Sequence, residues 1–269
     1  MKKIKWLMFD LDGTLLNEAK QVTDKTKQVL ETMKSMGIRM GVATGRPLAP
    51  VMQRVKEYGI EHLMDVLVCY NGVLVYDKTQ DKTYETFPIH KSLVDEIYNH
   101  YQKRGFNYCL YDQGVLYTSR IDASIQKVSG LNLLKPLVMP IEEVDKDHFY
   151  KLIITVDEGR MDEVDQVYES IKDDRFHGFK TQHDLFEFVD ARVSKSYGIL
   201  KLVSQYGDDL SNVMAFGDTT NDLEMLKDCG WGVCMINGTD DAKNVSDDIA
   251  LSNEEDGVAQ YLETYFGLK

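Results

Sequence analysis

The chain has 269 residues, 43% hydrophobic and 28% charged, so it carries enough apolar material for a sizeable core and does not have the composition of a disordered chain. Its 31 Lys and Arg stand against 44 Asp and Glu, a net charge of −13 with no basic stripe, which excludes nucleic acid and anionic membranes as expected partners. Cys69, Cys109, Cys229 and Cys234 show no Cys-x-x-Cys spacing, so neither a zinc site nor a disulfide framework is expected, and the setting is read as a reducing cytoplasm.

Ile4 to Phe9 is an apolar, partly β-branched run of strand length that drops into Asp10-Leu11-Asp12-Gly13-Thr14. Carboxylates one residue apart on a strand point to opposite faces. Asp10 and Asp12 can therefore converge only if the chain leaves the pleat after Asp10, a turn that Gly13 permits. The same Asp10 cuts the apolar run too early for a signal-peptide core. Thr23 is placed to cap a helix whose apolar face is Val29, Leu30, Met33 and Met36 and which Gly37 stops. Ile38 to Ala43 is a second strand, ending in Thr44-Gly45-Arg46-Pro47. Pro47 suits the first turn of a helix over 48–58. A third strand, 65–70, is turned by Asn71-Gly72 into 73–76 as a hairpin. The pattern βαβαβ predicts a mostly parallel sheet.

The middle reads differently. A helix over 91–103 is followed by strands at 106–111, 115–119 and 152–156, a helix at 161–171, and strands at 178–182 and 185–189. Short turns between neighbouring strands predict antiparallel pairing. From Ser194, a helix cap, the βα rhythm returns. Strands are expected at 213–216, 231–235 and 249–251, with a closing helix at 258–265. The fold class is α/β, a Rossmann-like parallel-sheet core in two parts, 1–82 and 187–269, with an inserted α/β domain at 83–186.

Three strands thus end in polar clusters, after Phe9, Ala43 and Phe216, and in open α/β sheets the binding crevice lies at those carboxyl ends. Asp10, Asp12, Asp218 and Asp222 gathered there would repel one another without a cation. All-oxygen ligation suits Mg²⁺. A magnesium ion beside a carboxylate, the Thr44 hydroxyl and the Lys195 ammonium suits phosphoryl transfer, with Asp10 as nucleophile.

Phe9-Asp10-Leu11-Asp12-Gly13-Thr14-Leu15-Leu16, Thr44-Gly45-Arg46, Ser194-Lys195 and Gly217-Asp218-x-x-Asn221-Asp222 resemble, in order, the four motifs of the haloacid dehalogenase superfamily. The insert length and the Asn71-Gly72 turn are similar to its Cof-type sugar-phosphatase branch. The resemblance implies that Asp10 attacks phosphorus, that Asp12 shuttles the proton, and that Thr44, Gly45, Arg46, Lys195 and Asn221 hold the phosphoryl group. It also implies metal ligation by Asp10, the Asp12 carbonyl and Asp218, with Asp222 in support and the insert acting as a cap that reads the leaving group. The expected partner is a small phosphorylated metabolite, with no obligate protein partner. Met235-Ile236-Asn237-Gly238 departs from the family's usual Met-Gly-Asn-Ala, which leaves the supporting role of Asn237 open. Phosphosugar mutase chemistry and non-catalytic phosphometabolite binding are the alternative readings.

Taken singly, the residues have plainer readings. An Asp-x-Asp pair is usually a solvated turn, and a lysine in the first turn of a helix is usually on the surface. Asp218 and Asp222 could serve as helix caps. His183 beside Asp184 is a candidate substrate contact in the insert, as are Arg120, Tyr111 and Tyr117.

Overall fold

Trp6-Leu7-Met8-Phe9 offers apolar side chains to both faces, and in the computed structural model, which describes residues 3–112 and 114–268, it forms a fully buried strand, β1 (Trp6–Phe9). A strand covered on both sides needs such a continuous apolar run. The helix α1 (Asp24–Ser35) follows, with Thr23 accepting the Thr26 amide as its cap, and then β2 (Arg39–Ala43), α2 (Leu48–Glu57) and β3 (Val66–Cys69). β4 (Leu74–Asp77) and β5 (Lys82–Glu85) run antiparallel and make the sheet edge. The link between β3 and β4 is longer than the two-residue turn expected from Asn71-Gly72. Cys69 pairs with Leu74, and Tyr70, Asn71 and Gly72 all have positive φ, at 51°, 55° and 109°.

After the insert come α6 (Lys195–Val203), β14 (Val213–Gly217), α7 (Leu223–Asp228), β15 (Trp231–Met235), α8 (Asp240–Val245), β16 (Asp248–Ala250) and α9 (Gly257–Phe266), the labels β6–β13 and α3–α5 falling in the insert. The eight-stranded sheet has the order β16-β15-β14-β1-β2-β3-β4-β5. It is parallel from β16 to β3. From β1 the chain steps to β2 on one side and later to β14 on the other, so β1 lies where the strand order reverses. One face buries Trp6, Met8, Val68, Ile199, Leu202 and Met225, while Phe9 stacks on Phe216, whose ring meets Tyr261 of α9 edge-on.

The insert comprises β6 (Ile89–His90), α3 (Lys91–Gln102), β7 (Asn107–Asp112), β8 (Val115–Thr118), α4 (Ala123–Leu131), β9 (Lys135–Val138), β10 (His148–Phe149), β11 (Leu152–Thr155), α5 (Met161–Ile171), β12 (Phe176–Gln182) and β13 (Leu185–Asp190). Its main sheet, β12-β13-β11-β7-β8-β9, packs Tyr108, Leu110, Ile154 and Phe188 against Tyr101 of α3 and Val164 of α5. Pairing is antiparallel as expected, except that β8 and β9 are parallel, joined across α4. α4 is held by Asp122, which accepts the Ile125 amide, and by burial of Ile125 and Val128. The chain divides into two compact units, Met1–Thr86 with Ser194–Lys269, and Phe87–Val193. The sequence-based boundaries at 82/83 and 186/187 fall inside β5 and β13, and the units part outside those strands. Among the described residues, no helix is long and apolar enough to cross a membrane. The four cysteines are buried free thiols.

Candidate active site

The three neighbouring strands β14, β1 and β2 deliver Asp218, Asp10 and Thr44 from their carboxyl ends. Asp10 continues the pairing of β1, its amide donating to the Phe216 carbonyl at 2.9 Å, so its backbone has no freedom to drift. Lys195, at the start of α6 after the Ser194 cap, is wholly buried, against the surface placement common for a first-turn lysine. Its Nζ donates to Asp10 Oδ1 and to Asp222 Oδ1, each at 2.6 Å. The second oxygen of Asp222 accepts the Asp218 and Thr219 amides at 3.0 and 3.2 Å. Both Asp222 oxygens are therefore committed, and the residue fixes Lys195 while closing the loop after β14.

Asp10, Asp218 and Asp222 bring carboxylate oxygens within 4.8 Å of one another. Three acids share one ammonium. Burial pushes the Asp10 carboxyl up to about 8; Lys195 opposes this, and Asp222 and Asp218 reinforce it. Asp218 is raised to about 6 by burial and then by Asp222. Burial works against the Lys195 charge, but Asp10 and Asp222 outweigh it and hold its pKa above the ordinary lysine value. Among the described residues, one oxygen of Asp10 and one of Asp218 receive no hydrogen bond, the other oxygen of Asp218 taking the Thr14 hydroxyl at 2.9 Å. Two hard, anionic oxygen donors with unspent lone pairs in an under-neutralised cluster fit a divalent cation of the oxygen-preferring kind.

The Asp12 carboxylate does not join them. Arg46 Nη2 and Nε reach Asp12 Oδ2 at 2.5 and 3.1 Å, and Lys20 Nζ reaches Oδ1 at 2.9 Å. Burial raises the Asp12 pKa, but the Lys20 hydrogen bond and the Arg46 charge together carry it below the usual carboxylate value. The chain leaves the pleat as Gly13 allows, at φ 86°, yet it parts the two carboxylates instead of joining them. Gly13 lies so close to Asp218 that a Cβ there would run into Oδ2.

Thr44 is buried and its Oγ1 accepts the Arg46 amide at 3.3 Å, curling the loop over the end of β2. Gly45 sits against the Asn71 side chain, and Asn221 Nδ2 donates to Asn71 Oδ1 at 3.4 Å. Asn237 has a definite place: its Nδ2 donates to the Gly13 carbonyl at 2.8 Å and its Oδ1 accepts the Asn253 amide. The altered Gly and Asn order thus still yields a brace for the Gly13 turn. In the insert, the His183 side chain is 79% exposed beside Asp184, Arg120 donates to the Gly105 carbonyl, Tyr111 lies under the Lys151 ammonium, and Tyr117 packs on Phe149. Sequence reasoning missed Lys20 and Asn71 as parts of this site. Lys20 carries no spacing signal, whereas Asn-Gly after a strand marks a special backbone without saying what its side chain holds.

Paired carboxylates, a buried lysine and a curled hydroxyl-bearing loop at a strand-order reversal are the equipment of a phosphoryl-transfer hydrolase. The chain belongs to the haloacid dehalogenase-like hydrolases, whose family model matches residues 7–262, and within them to the Cof-type branch. It is a phosphoric monoester hydrolase of that family. Among its relatives is the 5-amino-6-(5-phospho-D-ribitylamino)uracil phosphatase YitU of Bacillus subtilis, 26% identical over 97% of this chain and 97% of that protein. Phosphatase YwpJ of the same organism is 25% identical over 97% and 99%. A haloacid dehalogenase-like hydrolase from Bacteroides thetaiotaomicron superposes with a TM-score of 0.84 at 26% identity, over 98% of this chain and 100% of that one.

Proposed function

We propose that this hydrolase is a cytoplasmic, Mg²⁺-dependent phosphatase that releases phosphate from small phosphorylated metabolites, sugar phosphates above all, through an aspartyl-phosphate on Asp10. The observation that carries the reading is the state of Asp10 itself: backbone locked, one oxygen held at 2.6 Å by Lys195, and the carboxylate grouped with that of Asp218. A carboxylate so fixed is positioned to attack without rearranging.

The residue roles follow in order. An Asp10 oxygen attacks phosphorus as the bond to the leaving oxygen breaks. Asp12 gives that oxygen its proton, then takes one from a water whose oxygen attacks phosphorus. The bond from phosphorus to Asp10 breaks, and inorganic phosphate leaves. Because Asp12 is paired with Arg46 and Lys20, it must leave them before it carries a proton. Thr44, Gly45, Arg46, Lys195 and Asn221 hold the phosphoryl oxygens, and Asp222 keeps Lys195 in place. Asp10, the Asp12 carbonyl and Asp218 would hold Mg²⁺, whose charge would keep the acids ionised and offset that of the phosphate.

The unit 87–193 is the cap that selects the leaving group. A sugar-like leaving group is supported by the relative named for a substrate whose phosphate sits on a ribityl chain. Release of phosphate from p-nitrophenyl phosphate, with Mg²⁺ and with a chelator, tests the reading. Turnover should need the metal and vanish in Asp10→Asn. Equal rates with and without Mg²⁺ would refute it. A panel of sugar phosphates against nucleotides tests the substrate class.

A further inference from the structure

We propose that Asn71 is a positioning residue, the clamp that sets the Thr44–Arg46 loop, the start of α6 and Asn221 in register around the phosphoryl group. This inference rests on the phosphatase reading of the site. It assigns a role to a residue outside the four motifs.

The backbone of residues 70–72 is the first observation. Tyr70 and Asn71 have φ of 51° and 55°, a conformation that costs about 1 kcal/mol or more per residue for L side chains. Two such residues in succession persist only where their contacts fix them. Within the loop the Val73 amide donates to the Tyr70 carbonyl and the Thr86 hydroxyl to the Gly72 carbonyl, while the other ties reach site segments. The Tyr70 amide donates to the Arg46 carbonyl at 3.1 Å and the Asn71 amide to the Thr44 carbonyl at 3.0 Å. Gly72 rests on the Ser194 carbonyl, where a Cβ would collide, and Ser194 is the cap that launches Lys195.

The side chain adds the third tie. Asn71 is 8% exposed, its Oδ1 accepts from Asn221 Nδ2, and a Cβ on Gly45 would meet Asn71 Oδ1 at 3.1 Å. Among the described residues Asn221 Oδ1 is buried with no partner, so this contact is what orients the Asn221 amide. One asparagine thus touches the loops after β2 and after β14, while its neighbour presses on α6. Asn is suited to the place, since it tolerates the left-handed region and still carries an amide.

The test uses Asn71→Gly, which keeps the left-handed backbone without strain and removes only the side chain. In the full-length enzyme with Mg²⁺ and p-nitrophenyl phosphate, kcat should fall about tenfold, as a sub-ångström loss of positioning does. KM should stay within about twofold and the unfolding temperature should hold. In a cycle with Asn221→Ala, the double variant should lose scarcely more kcat than the worse single one. Parental kcat in Asn71→Gly, or losses that multiply in full in the double variant, would overturn the assignment while parental turnover left the phosphatase reading intact. A parent protein without Mg²⁺-dependent turnover would instead remove the reading beneath it.

Discussion

Arg46 closes on Asp12, Nη2 to Oδ2 at 2.5 Å, and the second aspartate of the opening motif stays outside the carboxylate group that Asp10 forms with Asp218 and Asp222. Lys20 completes the pairing from a residue with φ 57°. The carboxyl pKa values of the two acids, one residue apart, are consequently pushed in opposite directions. Burial drives Asp10 up, whereas the Lys20 and Arg46 contacts win over burial at Asp12 and hold it down.

Lys20→Ala therefore alters chemistry more than stability. The Lys20 side chain is 58% exposed, so the variant should unfold within about 0.5 kcal/mol of the parent. With its hydrogen bond gone, the Asp12 pKa rises, and the limb of the pH–rate profile governed by Asp12 should move to higher pH. An unmoved profile would separate Lys20 from the proton shuttle.

Lys195→Met leaves Asp10 and Asp222 buried with no cation. Breaking one side of a buried ionic group costs about 3–5 kcal/mol, so the urea midpoint of the metal-free protein should fall at pH 7. The loss should shrink near pH 5, where the orphaned Asp10, already raised by burial, takes up a proton. A loss independent of pH would show that packing, not charge, dominates there.

Metal binding should depend on pH in a fixed direction. An acid whose folded pKa lies above its ordinary value favours the folded state most below that ordinary value, 3.8 here, and costs stability as pH rises toward the folded pKa. With Asp10 at about 8 and Asp218 at about 6, the metal-free protein should weaken from about pH 4 to pH 8. Mg²⁺ displaces fewer protons as pH climbs through that window, so the rise in unfolding temperature it causes should grow from about pH 5.5 to pH 8. A constant or shrinking increment would contradict the cluster's role.

Gly13→Ala strikes the cluster from the other side. The new Cβ meets Asp218 Oδ2, and φ 86° adds a penalty of about 1–2 kcal/mol. Isothermal titration should find Mg²⁺ affinity reduced at least tenfold in a protein that still folds, while unchanged affinity would place the metal away from Asp218.

Much of this was legible in the residues. The run Trp6–Phe9 announces a central strand because both faces are apolar, and the polar residues after Phe9, Ala43 and Phe216 mark strand ends that the sheet order then brings side by side. What sequence hid is what depends on distance along the chain. Lys20 and Arg46 meet across Asp12, and nothing in their local pattern predicts it. β9 was missed because Lys135–Val138 is an exposed edge strand with a proline, lacking the alternation that marks a half-buried one. The bond from Asn71 to Asn221 spans 150 residues, and Asn-Gly read locally suggests only a turn.

The most direct measurement is rapid quench of the Mg²⁺-loaded enzyme with a ³²P-labelled sugar phosphate, followed by peptide mapping of acid-stable label. Label should appear on the peptide that contains Asp10 within the first turnover, and not in Asp10→Asn. Phosphate release with no labelled enzyme at any time, or label on another residue, would contradict the account.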